Sequence, residues 1–117
     1  PVQMIRSKEN SEHYIWGNGC DSWILNDSGN LSVKQEKMPS GTSEKLHVHE
    51  YAEQVFYILN GEAVFYLNDQ KTIVKKGETI SVSPKSKHYI SNKAAEDLEF
   101  LVISCPSTHT DRIEIEQ

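Results

Sequence analysis

The sequence predicts an all-β domain, a sandwich or barrel of short strands. Three observations predict it. Apolar and polar residues alternate with period two over short runs from about Leu31 onward. Those runs are rich in Val, Ile, Tyr and Phe. Gly, Pro and Asn break them at short, regular intervals, the spacing of a sandwich or barrel. Helical periodicity is weak throughout.

Each element follows in order. Leu31 to Met38 alternates and stops at Pro39-Ser40-Gly41. Lys45 to His49 is a second short strand, and Gln54 to Leu59 a third. Asn60-Gly61 reads as a tight hairpin, because both residues tolerate positive φ, with Glu62 to Leu67 returning as the partner strand. Asn68-Asp69 turns again into Lys71 to Lys75. After Gly77-Glu78 come Thr79 to Ser83, His88 to Asn92 and Leu98 to Ser104, and Arg112 to Ile115 adds an edge strand. Residues 1–30 read as a less regular segment packing on a barrel of residues 31–117, one domain overall. Trp16 and Trp23 in that segment plug a barrel mouth, meet a second subunit, or pack on the core, which is the simplest reading.

A chain of 117 residues suits one compact domain. With 12 basic and 17 acidic residues the net charge is −5, and no basic stripe stands out, which argues against nucleic acid and anionic membrane as partners. Lys75-Lys76 and Lys85 to Lys87 read as solvated turns. No apolar run is long enough to span a bilayer, and Pro1 to Asn10 lacks the apolar core of a signal peptide, so a cytoplasmic location is expected. Cys20 and Cys105 are too few for a disulfide framework. Cys105 is expected to pack as a small hydrophobe, and Cys20, among glycines, to be exposed.

The chemistry lies in the histidines. His47 and His49 are two apart, so on a strand they share a face and reach one point. Gln54 opens the next strand, and His88 stands at the start of a later one. An antiparallel barrel can bring these strand ends together as three nitrogen ligands and one oxygen ligand, a set suited to Zn, Fe, Mn, Ni or Co. Alone, each histidine has a simpler explanation as a hydrogen-bonded or solvated side chain. Together the three form a metal-site pattern; His13 and His109 lack such context and read as structural or solvated.

Residues 41–61 read G-T-S-E-K-L-H-V-H-E-Y-A-E-Q-V-F-Y-I-L-N-G, and residues 77–92 read G-E-T-I-S-V-S-P-K-S-K-H-Y-I-S-N. These resemble the two sequence motifs of the cupins, about half the chain directly. The resemblance implies a double-stranded β-helix, one form of jelly roll, often dimeric, with one divalent metal ion held by His47, His49, His88 and an acidic residue. The acidic position is ambiguous here. Counting from His49 gives Glu53, whereas counting back from Gly61 gives Gln54. The phrase Q-V-F-Y-I-L-N-G matches the family's Glu-x-x-Tyr-Val-Leu-x-Gly, which favours Gln54 and turns Glu53 outward. Ser83 replaces the usual Pro, and Lys85 replaces a glycine. A lysine at positive φ is strained by about 1 kcal/mol or more, so a slightly different turn is expected there.

An amide ligand leaves the dipositive charge of the ion intact and makes a poor general base. The resemblance implies a small-molecule ligand or substrate, with oxygenase, isomerase or lyase chemistry on one reading and a non-catalytic sugar or organic-acid sensor on another. The interior lining is expected from Phe56, Ile58, Val64, Tyr66 and Ile90 or their strand neighbours, with whichever of Tyr57 and Tyr66 faces in orienting substrate. A metal-free barrel is the third reading. It would leave several buried imidazoles to satisfy one another, at a cost.

Overall fold

The computed structural model describes residues 5–116 and contains eleven strands among them. In chain order these are β1 (Glu12–Trp16), β2 (Cys20–Asp27), β3 (Ser32–Met38), β4 (His47–Val48), β5 (Glu53–Asn60), β6 (Glu62–Leu67), β7 (Gln70–Lys75), β8 (Thr79–Val82), β9 (His88–Ser91), β10 (Leu98–Cys105) and β11 (Ile113–Glu114). They form two antiparallel sheets, ordered β1-β2-β3-β10-β5-β8 and β11-β4-β9-β6-β7. From β3 to β11 the chain passes back and forth between the sheets, as a jelly roll requires. No helix long and apolar enough to cross a membrane occurs among the described residues.

Phe56, Phe65, Phe100, Met38, Ile58, Ile90 and Leu98 fill the space between the sheets, almost fully buried. Phe56 meets Phe65 edge-on at 5.0 Å between centroids. Each such side chain contributes about 1.5–3 kcal/mol by leaving water. This filling occupies one part of the interior and leaves the other for polar groups.

Several expectations are corrected. Residues 12–27 form a hairpin that extends the first sheet through β2–β3 pairing. Its strand faces are mixed in polarity, which hid the alternation. Asn60-Gly61 makes no hairpin: β5 and β6 lie in different sheets, and Gly61 is the corner between them. Its φ is +84°, and a Cβ there would stand 2.7 Å from the Asp97 carbonyl oxygen, so the corner requires glycine. Asn68 and Asp69, both at positive φ, do form the tight turn of the β6–β7 hairpin. Lys85 keeps the left-handed conformation, φ +67°, instead of a different turn. Its N–H donates to the His49 carbonyl at 2.7 Å, which holds the loop against the strain.

The cysteines are exchanged relative to expectation. Cys20 opens β2 on its buried face, whereas Cys105 ends β10 one residue past its last buried position, Ser104. On β6 the inward residues are Ala63 and Phe65, so Val64 and Tyr66 face outward. Tyr66 instead donates to Asp69 across the turn, and Tyr57 is exposed, so neither tyrosine reaches the interior.

Candidate metal centre

β4 and β9 are neighbours in the second sheet, and His47 stands directly opposite His88. His49 lies two residues further on the His47 side of the chain. The three rings meet at centroid separations of 4.2, 4.9 and 5.4 Å. One ligand nitrogen from each falls within 4.8 Å of the others, and all three residues are buried.

The outward nitrogen of every ring is tied to the backbone. His47 Nδ1–H donates to the Lys45 carbonyl at 2.7 Å, His88 Nδ1–H to Ser86 at 2.8 Å, and His49 Nδ1–H to Asp111 at 2.8 Å. A carbonyl only accepts, so each proton sits on Nδ1 and each Nε2 keeps its lone pair. Burial, the His88 ring and Arg112 push His47 down to about 2, and burial chiefly pushes His88 down to about 4. Burial also lowers His49. The rings are therefore neutral, the form in which imidazole binds metal.

Gln54 comes from the facing sheet. It is 5% exposed, and its Oε1 lies 3.1 Å from His88 Nε2. Its amide nitrogen is held by Ser104 Oγ at 2.9 Å. Glu53, next to it on β5, is exposed and points away. With its proton on Nδ1, His88 presents a lone pair at Nε2 to a second lone pair on Gln54. Two acceptors facing one another at that distance fit a cation between them, so the donor set suits a divalent ion. His13 is elsewhere, bonded to Asp21 at 2.8 Å, and His109 is exposed.

The C-terminal segment braces this arrangement. The Asp111 carboxylate accepts from the backbone N–H groups of Glu50, Tyr51 and Ala52 at 2.9–3.0 Å. Burial opposes its charge, but these three donors outweigh it and keep its pKa below the usual value. Its neighbour Arg112 turns toward Glu44 and Glu114, at 3.7 and 3.6 Å.

His47, His49 and Gln54 open on a cavity of about 610 Å³, within the range of small-molecule sites, and His88 lies behind them. Lys34, Glu36, Glu44, Arg112 and Trp16 also line it. Burial pushes Glu44 up to about 8, with Arg112 opposing and Glu36 adding to the rise. Burial likewise raises Glu36, against Ser22, Lys34 and Arg112. These residues carry no local sequence signal. A charged residue on an alternating strand reads as the solvent face, and here Lys34 and Glu36 share the inner face of β3 with Ser32 and Met38.

The cupin-domain family profile matches residues 34–104. The chain is a cupin. It is 36% identical over 84 residues to an uncharacterized protein of Methanocaldococcus jannaschii, covering 72% of this cupin and 67% of that protein. Over 67 residues it is 39% identical to an oxalate-binding protein of Thermotoga maritima, 57% of this chain and 55% of that one. This match spans only about half of the Thermotoga protein. The crystal structure of a predicted oxalate decarboxylase from Thermotoga maritima superposes with a TM-score of 0.80 at 25% identity, over 88% of this chain and 98% of that one.

Proposed function

We propose that this cupin holds one divalent metal ion through the Nε2 atoms of His47, His49 and His88 and the Oε1 of Gln54, and binds a small organic acid on it. One observation carries the reading: three buried imidazoles, each with its proton tied to a carbonyl, turn their lone pairs to one point. A neutral ligand set leaves the ion its full charge and an appetite for an anion. Arg112 supports a carboxylate ligand as well. It lines the same cavity, and its ion pairs to Glu44 and Glu114, at 3.7 and 3.6 Å, are longer than the contacts an incoming carboxylate would make. The name of the Thermotoga oxalate-binding relative points the same way.

The test is metal content by elemental analysis for the protein and for His47→Ala and His88→Ala. Oxalate titration by calorimetry then follows, with and without metal. Stoichiometric metal in the parent, loss of it in both variants, and oxalate binding only when metal is present are expected. Metal that survives both substitutions would sink the site.

A second reading, catalysis, is favoured by the carboxyl of Glu44. Burial holds it at about 8 in the same cavity, as a proton donor near neutral pH is. Incubating the metal-loaded protein with keto and hydroxy acids in deuterated water separates the readings. Deuterium uptake at carbon marks an enzyme, and silence marks a binder.

The homodimer belongs to the same proposal. Ile15 on β1 and Ile73 on β7 are exposed on edge strands, apolar surface that a second copy would cover. Light scattering in solution reads the mass directly. A cytoplasmic location is part of the proposal too, checked by cell fractionation.

A further inference from the structure

The cavity has a second polar end that the metal reading does not use. Glu36 lies on the inner face of β3, 9% exposed, and lines the cavity with His47 and His49. No ion pair within 4 Å reaches it among the described residues. Its cross-strand partner on β2 is Ser22. The Ser22 hydroxyl is fully buried and near enough to favour the charged carboxylate, yet it completes no hydrogen bond of good geometry. At the end of β1, Trp16 also lines the cavity, and its indole N–H is buried without a partner. Lys34 and Tyr14 stand beside them, with Lys34 Nζ donating to the Tyr14 hydroxyl at 3.0 Å.

A buried donor without an acceptor costs about 1–3 kcal/mol, so such groups persist where a ligand completes them. The groups here are complementary in kind. The Trp16 N–H only donates, whereas the Glu36 carboxyl keeps an accepting oxygen with or without its proton. A hydroxyl does both and satisfies the two at once. Aromatic faces from Tyr14 and Trp16 suit the C–H side of a hydroxylated carbon chain.

We infer that Glu36 and Trp16 form a hydroxyl-reading subsite, and that the organic acid of this cupin carries hydroxyl groups along its chain. This rests on the reading that an acid binds at the metal end. The acid's carboxylate sits at the metal and Arg112, while its hydroxylated chain extends across the cavity toward β1 and β3.

Two ligand pairs of equal length test it: L-malate against succinate, and D-glucarate against adipate. Calorimetry on the metal-loaded protein gives the affinity ratio within each pair. The hydroxylated member is expected to bind about 3- to 10-fold tighter in at least one pair, the worth of one or two neutral hydrogen bonds. Trp16→Phe and Glu36→Leu should each bring that ratio toward one while metal content and succinate or adipate affinity stay put. Thermal melts confirm that both variants fold, and Trp16→Phe carries the test if Glu36→Leu does not. Equal affinities within both pairs overturn the inference, as does a preference that survives the substitutions. If no acid binds the metal-loaded protein at all, the organic-acid reading falls and this inference with it.

Discussion

At the histidine end of the cavity every outward ring nitrogen has its hydrogen-bond partner, whereas at the Glu36 end Trp16 Nε1 and Ser22 Oγ have none. Both ends are buried and lie in one interior, so their difference is not one of solvent access. The histidine end is braced from behind and turns a fixed set of lone pairs inward, as a centre for a small ion must. At the Glu36 end Trp16, which lines the cavity, is left without a partner, as a surface that reads a variable organic ligand would be. One fold thus supports a rigid pole and an unsatisfied pole, and perturbing each should produce different losses.

The largest expected effect comes from the rigid pole itself. His47→Ala removes one of the three proposed nitrogen ligands and should abolish stoichiometric metal, read by elemental analysis after dialysis. Asp111→Ala comes next. It leaves all four proposed ligands in place but frees three backbone N–H groups and loosens the segment whose carbonyl fixes the His49 ring. A roughly 10- to 100-fold weaker metal affinity is expected, the usual cost of losing such a brace. Unchanged affinity in a competition titration with a chromophoric chelator would show that the Asp111 clamp does not pre-arrange the site.

Within the cavity the histidines and Glu44 also titrate in opposite senses in metal-stripped protein. His47 and His88 are held down, at about 2 and about 4, so their stability contribution is full above 6.5 and is lost as pH falls toward those values. Glu44 is held up, at about 8, so its contribution is full below 4.5 and is lost as pH rises toward 8. The unfolded chain has shed that proton long before the folded one does. Between pH 6.5 and 8 Glu44 should therefore cost about 2 kcal/mol of folding stability, at roughly 1.4 kcal/mol per pH unit. Glu44→Gln should flatten this fall in urea midpoints measured at the two pH values. An equal fall in the variant would move the source elsewhere.

The same contrast explains what was legible in the sequence. The histidine end follows from local rules. Residues two apart share a strand face, so His47 and His49 converge, and the motif phrase around Gln54 sets its parity against Glu53. The Glu36 end depends on which face of β3 turns inward. In Ser32–Met38 the inward row carries Ser, Lys, Glu and Met, and nothing local marks a polar row as interior. Arg112 comes to the cavity through a clamp formed by Asp111 with residues some sixty positions away, which no short window contains. Asn60-Gly61 failed for a related reason. Asn-Gly satisfies a hairpin and a corner between sheets equally well, and only the close approach of Asp97 distinguishes them. The β strands themselves, from β3 to β10, needed only alternation and turn chemistry to be found.

The smallest effect concerns the residue that links the facing sheet to the rigid pole. Gln54 Oε1 faces His88 Nε2 while its amide nitrogen donates to Ser104 Oγ. A hydroxyl both donates and accepts, so Ser104 serves the amide in either orientation. With a cation present, the oxygen must face inward. Without one, the amide is free to turn over and donate to the His88 lone pair, and Ser104 then donates to the oxygen instead. Ser104→Ala removes a partner from both states alike. It should lower stability by about 1 kcal/mol, the worth of one neutral hydrogen bond, and change metal affinity by no more than a few fold. The turn of the amide itself has a direct readout. The Gln54 side-chain NH₂ resonances, assigned by Gln54→Leu, should shift on adding Zn because their acceptor changes from an imidazole to a hydroxyl. Resonances that stay fixed through the titration would mean that the oxygen faces His88 with or without metal.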